Sequence, residues 1–379
     1  VNGKKKWLCR AMVCSVSIVW FLCVMVGSAC ALPTIGAQAY ALMEADSGRM
    51  LLSERGEEKL PMASTTKVMT CIVAIENGQL DEIVQVPDEA VGIEGSSIYL
   101  QYGETMTMEE LLYGLMLASG NDAAVAIAIH IAGSVENFAD MMNQKAAEIG
   151  AFNTHFVTPN GLPAEGHYTT ACDLARISAY AMQNEVFRNI VGTASRDLAQ
   201  DDDSPARYLR SKNKILYQYE GGNGVKTGYT KAAGKCLTAG ASREGMQMIA
   251  VVLNDSNMFE DCYDLLDYGF SEYDLYELCE EGKSMGLLPV QEGIEKGVEI
   301  AINCGIALPL QAEEYKIIEK KVHIVSQVQA PVHRGMVVGS VDFCLNGEPI
   351  ATAEIIATAD VLKNTYGYHF EKIMEKWIG

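Results

Sequence analysis

Apolar and polar positions alternate through AQAYALMEADSGRMLLSE (37–54) and break at Asp46-Ser47-Gly48, which predicts two strands joined as a hairpin. The period then lengthens. PMASTTKVMTCIVAIENG (61–78) has helical spacing and stops at Gly78. Thr107-Met108-Glu109-Glu110 is a capping-box pattern, and it opens LLYGLMLASGNDAAVAIAIHIAG, an apolar helical run. Ser119-Gly120-Asn121 interrupts that run with three poor helix formers, so a bend between two buried helices is expected there. A further helix follows from about Val135 to Gly150. RDLAQDDDSPARY (196–208) reads as an exposed loop, and GVKTGYT, GKCLTAGAS and MQMIAVVL read as three neighbouring strands. MFEDCYDLLDYGFSEY closes this part as a helix. Strands, then helices, then strands again imply an α+β domain, with helices packed on an antiparallel sheet.

From about Pro289 the character changes. VEIAINC, YKIIEKKVHIVSQV, GMVVGSVDFCL and EPIATAEIIA are strand-like and separated by Gly, Pro and Asn, which predicts a small all-β domain. The tail after Ala359 is helical again. Leu362, Tyr366, Phe370, Ile373 and Trp377 recur at helical spacing and form one apolar, aromatic-edged face. Such a helix suits attachment at a membrane interface; docking on its own β-domain is the alternative, since its polar face is not strongly basic.

Composition changes the picture chiefly at the start of the chain. Lys4, Lys5, Lys6 and Arg10 precede an apolar run, Ala11 to Gly27, and Ser28-Ala29-Cys30-Ala31 ends in a small-x-small pattern. That order is expected of a secretory signal peptide cleaved after Ala31, with an uncleaved anchor as the alternative. The expected organisation is therefore a signal peptide at 1–31, an α+β domain at 32–284, a β-rich domain at 285–358 and an amphipathic helix at 359–379. The full chain carries a net charge of −20; without the leader, 25 basic face 49 acidic residues, a net −24. Nucleic acid as a partner is excluded by that balance. The seven cysteines beyond the leader are scattered and contain no Cys-x-x-Cys pair, and the six histidines are equally dispersed. No metal, cofactor or disulfide framework is expected.

Three short motifs carry chemistry. A serine hydroxyl is a poor nucleophile until a base takes its proton, and a lysine three residues on along a helix lies one turn away on the same face. Lys67 can serve Ser64 in this way only when neutral, which burial or a nearby cation would favour. A position at the helix N-terminus would also give Ser64 backbone N–H groups for a developing oxyanion. Alone the pattern is weak, since about one or two Ser-x-x-Lys matches arise by chance in a chain of this length. A second match does occur, at Ser211-Lys212-Asn213-Lys214. Ser119 and Asn121 place a hydroxyl and an amide on a buried bend, where unsatisfied polar groups are costly. Lys226-Thr227-Gly228 supplies a lysine and a hydroxyl able to hold a carboxylate, a glycine that lets a substrate backbone approach, and a second positive charge near Lys67.

In this order the three motifs resemble those of β-lactamases and penicillin-binding proteins. Together with PMASTTKVMT, NGLPAEGHYTTACDLARI, the block from Lys226 to Leu253, the β-rich region and the tail, the chain resembles the low-molecular-mass penicillin-binding proteins that are serine D-Ala-D-Ala carboxypeptidases. The resemblance implies a β-lactamase/transpeptidase-like fold, export, and attachment to the outer face of the cytoplasmic membrane through the C-terminal helix. It implies removal of the terminal D-alanine from peptidoglycan stem peptides through an acyl-enzyme, with β-lactams as covalent inhibitors. Residue by residue, Ser64 is similar to the nucleophile, Lys67 to the general base and Ser119 to a proton relay. Asn121 matches the substrate-peptide ligand, and Lys226, Thr227 and Gly228 the carboxylate-binding strand. The backbone N–H groups of Ser64 and Tyr229 match the oxyanion hole. The decoy at Ser211 lies between the second and third motifs, the wrong order for a nucleophile. A β-lactamase would need a Glu-x-x-Leu-Asn box, and Glu165 is followed instead by Gly-His-Tyr-Thr. A non-turnover sensor on the same scaffold is the third possibility.

Overall fold

The computed structural model describes residues 32–198 and 207–378, so the leader and the aspartates Asp201 to Asp203 lie outside the described residues. Strands β1 (Ala39–Glu44) and β2 (Met50–Glu54) form the expected hairpin, with Leu42 opposite Leu52. They join β3 (Gly222–Thr230), β4 (Gly234–Arg243) and β5 (Met246–Leu253) in one antiparallel sheet of order β2-β1-β5-β4-β3. The hairpin from the start of the domain therefore pairs with the last strand of the later meander, and β3 is left at an edge.

Both faces of this sheet are covered, and the side-chain alternation shows how. Ala39, Ala41 and Met43 of β1 and Ile249, Val251 and Leu253 of β5 enter a large helical core. Tyr40, Leu42, Met248, Ala250 and Val252 point the other way, against α6 (Met258–Glu272). The helical core is built by α1 (Lys67–Asn77), α2 (Met108–Leu117), α3 (Asn121–Ala132), α4 (Val135–Ile149) and α5 (Ala171–Met182). Thr107 and Glu110 form the capping box of α2, and α2 ends at Leu117, so the Ser119-Gly120-Asn121 bend falls where the poor helix formers place it.

The β-rich part has its own core, centred on Phe343, Val341, Ile300 and Ile355. Its strands are β6 (Asp274–Cys279), β7 (Ser284–Gln291), β8 (Gly297–Ile302), β9 (Ile306–Leu310), β10 (Glu319–Ile324), β11 (Val328–Gln329), β12 (Val337–Leu345) and β13 (Glu348–Ala357). Six of them form a sheet of order β10-β12-β13-β8-β7-β11, and β6 pairs with β9. Arg49 of the first hairpin forks onto Glu314 at 2.6 and 3.0 Å and also donates to the Pro309 carbonyl, which ties the two parts together.

Three expectations are corrected. Strand structure in this region starts at Asp274, well before the change of character at Pro289, because β6 pairs with β9. YKIIEKKVHIVSQV is not one strand: a capped helical turn, Ala312–Lys316, precedes β10. Finally, 196–208 is not simply a loop. Ser195–Asp197 pairs with Tyr208–Arg210, and Arg196 bonds Glu109 at 2.9 Å while lying over the Tyr113 ring.

Candidate active site

Ser64 lies on a 3-10 turn, Ala63–Thr66, and α1 begins only at Lys67. Ser64 thus stands at the N-terminal end of α1, on a 3-10 turn that leads directly into it rather than in the first turn of the α-helix itself. The cause is local: the hydroxyls of Thr65 and Thr66 donate back to the carbonyls of Met62 (2.6 Å) and Ala63 (2.8 Å), which tightens the turn. Ala63 has φ +49°, a conformation that costs a residue with a Cβ on the order of 1 kcal/mol. Gly161, at φ +84°, packs so closely that a Cβ there would sit 1.9 Å from the Ala63 oxygen. Gly228 of β3 is also confined, though less severely, since its Cβ would meet the Ser64 nitrogen at 3.0 Å.

Lys67 is fully buried and its amine has three partners: Ser64 Oγ at 3.0 Å, Asn121 Oδ1 at 2.7 Å and the Asn160 carbonyl at 2.6 Å. Burial holds its pKa well below the ordinary lysine value; the charge of Lys226 pushes in the same direction, while Asp122 opposes both. Lys226 is itself buried and lowered to about 7, by burial first and then by the charge of Lys212. Its ammonium donates to the Thr227 carbonyl at 2.9 Å, and Thr227 itself is half-buried.

Asn121 is anchored at both ends, its amide nitrogen donating to the Glu94 carbonyl (2.7 Å) and its backbone N–H to Ser96 (2.7 Å). Ser119 sits beside it, buried, with φ +63°. Two motifs thus meet directly through Lys67, and the third reaches them through the electrostatic effect of Lys226 and the packing of Gly228. Among the described residues the Ser119 hydroxyl makes no hydrogen bond to either lysine. A cleft of about 670 Å³ opens over Ser64, Asn121, Asn160, Lys212 and Tyr229. A second cleft of about 630 Å³ contains none of the motif residues; its Lys145 and Arg176 are already paired with acids.

Several functional positions escaped sequence reasoning. The Asn160 carbonyl carries no side-chain signal, although it lies in NGLPAEGHYTTACDLARI, a segment that carries the family resemblance. Asp122, directly after Asn121, is buried and accepts from Ser97 Oγ (2.6 Å) and from the N–H groups of Ile98, Leu100 and Ala123, pinning the loop whose Ser96 carbonyl holds Asn121. An acid inside an apolar helical run was the available clue. The decoy proves mixed. Ser211 and Lys214 form no dyad, since Lys214 lies over the Phe259 ring, yet Lys212 between them lines the cleft.

The family model for D-alanyl-D-alanine carboxypeptidase matches residues 27–257, and that for the C-terminal domain of penicillin-binding protein 5 matches residues 273–363. The chain belongs to the D-alanyl-D-alanine carboxypeptidase family. A relative from Bacillus subtilis, D-alanyl-D-alanine carboxypeptidase DacF, is 33% identical over 350 residues, covering 90% of each chain. The Escherichia coli carboxypeptidase DacC is 29% identical, covering 92% of this chain and 90% of its own. Among solved structures, penicillin-binding protein 5 from Haemophilus influenzae superposes with a TM-score of 0.75 at 28% identity, covering 87% of this chain and 99% of that one. Like these carboxypeptidases, the chain is a serine-type hydrolase.

The Ser64 turn is also held from beneath. His167 is buried, and its Nδ1 accepts from the Val157 N–H at 3.0 Å, so Nε2 bears the proton donated to Thr66 Oγ1 at 2.9 Å. Burial first, and His155 second, lower its pKa from 6.5 to about 4. An unfolded chain binds this proton more readily, so the contribution is present in full above pH 6.5 and is lost as pH falls toward about 4. The loss amounts to about 3 kcal/mol. Chemical denaturation between those two pH values should show it, and His167→Gln should remove most of the fall; an unchanged fall in the variant would show that other groups cause it.

Proposed function

We propose that Ser64 attacks the carbonyl between two D-alanines at the end of a peptidoglycan stem peptide, with Lys67 as general base. The observation that carries this reading is the set of partners around Lys67. A neutral amine has two hydrogens and one lone pair. The Asn121 and Asn160 oxygens can only accept, so they take both hydrogens, and the lone pair is left for the Ser64 hydroxyl. The Ser64 proton then moves to Lys67 as Oγ bonds to the carbonyl carbon. The oxyanion is received by the backbone N–H groups of Ser64 and Tyr229. The C–N bond breaks and the departing D-alanine takes a proton through Ser119. Water next attacks the ester and releases the shortened peptide. Asn121 binds the peptide amide, while Lys226 and Thr227 hold the terminal carboxylate, whose charge favours the ammonium form of Lys226. β3, which carries Gly228 near its C-terminal end, offers a sheet edge to an extended peptide.

A β-lactam presents a reactive amide whose leaving group stays tethered, so its acyl-enzyme should clear slowly. Family membership favours the carboxypeptidase over the β-lactamase, and Glu165 lies in no deacylating box. Repeated D-alanine release separates the enzyme from a sensor. Ser64→Ala should abolish covalent labelling by penicillin as well as D-alanine release from a pentapeptide, with Ser211→Ala retaining both. Label still attaching to Ser64→Ala would sink the assignment.

We further propose export and attachment of the C-terminal helix, α7 (Tyr366–Ile378), to the outer face of the cytoplasmic membrane. Tyr366, Phe370, Ile373 and Trp377 are 97%, 66%, 56% and 86% exposed, so this apolar face is not used against the β-rich core. Among the described residues no helix is long and apolar enough to cross a membrane, so interfacial binding is the form this contact would take. Truncation after Ala359 should move the enzyme from the membrane to the soluble fraction; retention on the membrane would end the anchoring idea.

A further inference from the structure

We propose that Cys279 and Cys304 form a redox-active pair, which a low-molecular-weight disulfide converts into a disulfide bridge at the foot of the β-rich part. The pair involves none of the residues around Ser64.

Among the described residues Cys304 is the one exposed cysteine, and Cys279 is buried at the margin of the β-rich core. Cys279 ends β6 opposite Ile306 of β9, and Cys304 lies two residues before Ile306, in the bend that joins β8 to β9. Backbone hydrogen bonds hold that bend against the turn after Cys279. The Gly282 N–H donates to the Ile302 carbonyl at 2.9 Å, and the Ile302 N–H donates to the Lys283 carbonyl at 3.0 Å. Gly305 lies directly on the turn: a Cβ there would touch the Cys279 carbonyl and the Glu281 nitrogen at 3.4 Å. The Cys279 thiol points at the Cys304 carbonyl, with Sγ 4.0 Å from the oxygen. One sulfur is therefore already against the peptide that carries the other. The exposed Cys304 side chain needs only a change of rotamer to meet it. Burial raises the Cys279 pKa, the Ile306 N–H opposes this, and Cys304 adds to the rise, so each sulfur lies within the other's field.

Exposure sets the order of events, because the accessible thiol reacts first. The Cys304 thiolate attacks one sulfur of the small disulfide, forms a mixed disulfide and expels one thiolate. Cys279 then loses its proton to solvent, and its sulfur attacks the Cys304 sulfur and expels the second thiolate. Both departing thiolates take up protons, so the protein loses two hydrogens and the small disulfide becomes two thiols. The bridge closes a loop that contains the β7–β8 hairpin and so constrains the unfolded chain. It also stands beside the tie to the first hairpin, since β9 and the turn after it supply the Pro309 carbonyl and Glu314 that hold Arg49.

Equilibration of the purified protein with reduced and oxidised glutathione at mildly alkaline pH tests this, followed by acid quenching, alkylation of free thiols and mass spectrometry of tryptic peptides. The peptide carrying Cys304 should be joined to the peptide carrying Cys279, two hydrogens lighter than the separate pair. Fragmentation should place the bridge on Cys279 rather than on Cys262, which shares that peptide. Bridged chain should outnumber chain with glutathione on Cys304 by about tenfold, because a neighbouring thiol acts at an effective concentration above that of millimolar glutathione. Cys279→Ser should instead keep glutathione on Cys304, and Cys304→Ser, a change at an exposed site, should leave Cys279 reduced. Native protein in which Cys304 ends mainly as the glutathione adduct, or as a link between two chains, overturns the proposal. Native protein in which both thiols stay free overturns it as well.

Discussion

A fully buried amine has to be satisfied or neutral, and Lys67 sets that condition for everything around it. Three oxygens from three separate stretches of chain converge on its nitrogen: Ser64 on the 3-10 turn, Asn121 at the start of α3, and the Asn160 carbonyl. Each stretch is held in a conformation it would not adopt alone. Ala63 and Ser119 both have positive φ without being glycine, and Gly161 is required by its approach to Ala63. Strain of this kind persists only where surrounding packing enforces it, and here the helical core and the β3 edge do so.

Charge is then graded around the amine. Lys226 weakens the hold of Lys67 on a proton, Asp122 strengthens it, and Lys212 acts on Lys226 in turn. The balance leaves Lys67 well below its usual range. Asp122 does two jobs, because the same carboxylate that faces Lys67 electrostatically also collects the N–H groups of the loop that positions Asn121. In a chain with a net charge of −20, Lys67, Lys226 and Lys212 thus form an electrostatically linked series beside the Ser64 cleft, which Lys212 itself lines.

Much of this was legible in the residues. The hairpin at Asp46-Ser47-Gly48, the capping box at Thr107, the bend at Ser119 and the three-strand meander stand where local pattern places them, because each is fixed by turn chemistry or periodicity within a few residues. Tertiary information was harder to read. A backbone carbonyl such as that of Asn160 leaves no mark in composition, and the pairing of β6 with β9 depends on partners far along the chain. The 3-10 turn at Ser64 was hidden for another reason: Thr65 and Thr66 look like ordinary helix residues until their hydroxyls turn back on the chain. Ser211 and Lys214 form no dyad, while Lys212 between them lines the cleft, a placement that the tetrapeptide pattern does not reveal.

The ionisation of Lys67 itself tests the central claim most directly. In protein labelled with carbon-13 at lysine, the Lys67 Cε resonance, identified by its loss in Lys67→Arg, can be followed through a pH titration. A neutral, hydroxyl-facing amine requires this resonance to titrate well below the ordinary lysine value of 10.5. A Lys67 that stays protonated up to 10.5 or beyond would contradict its role as the base.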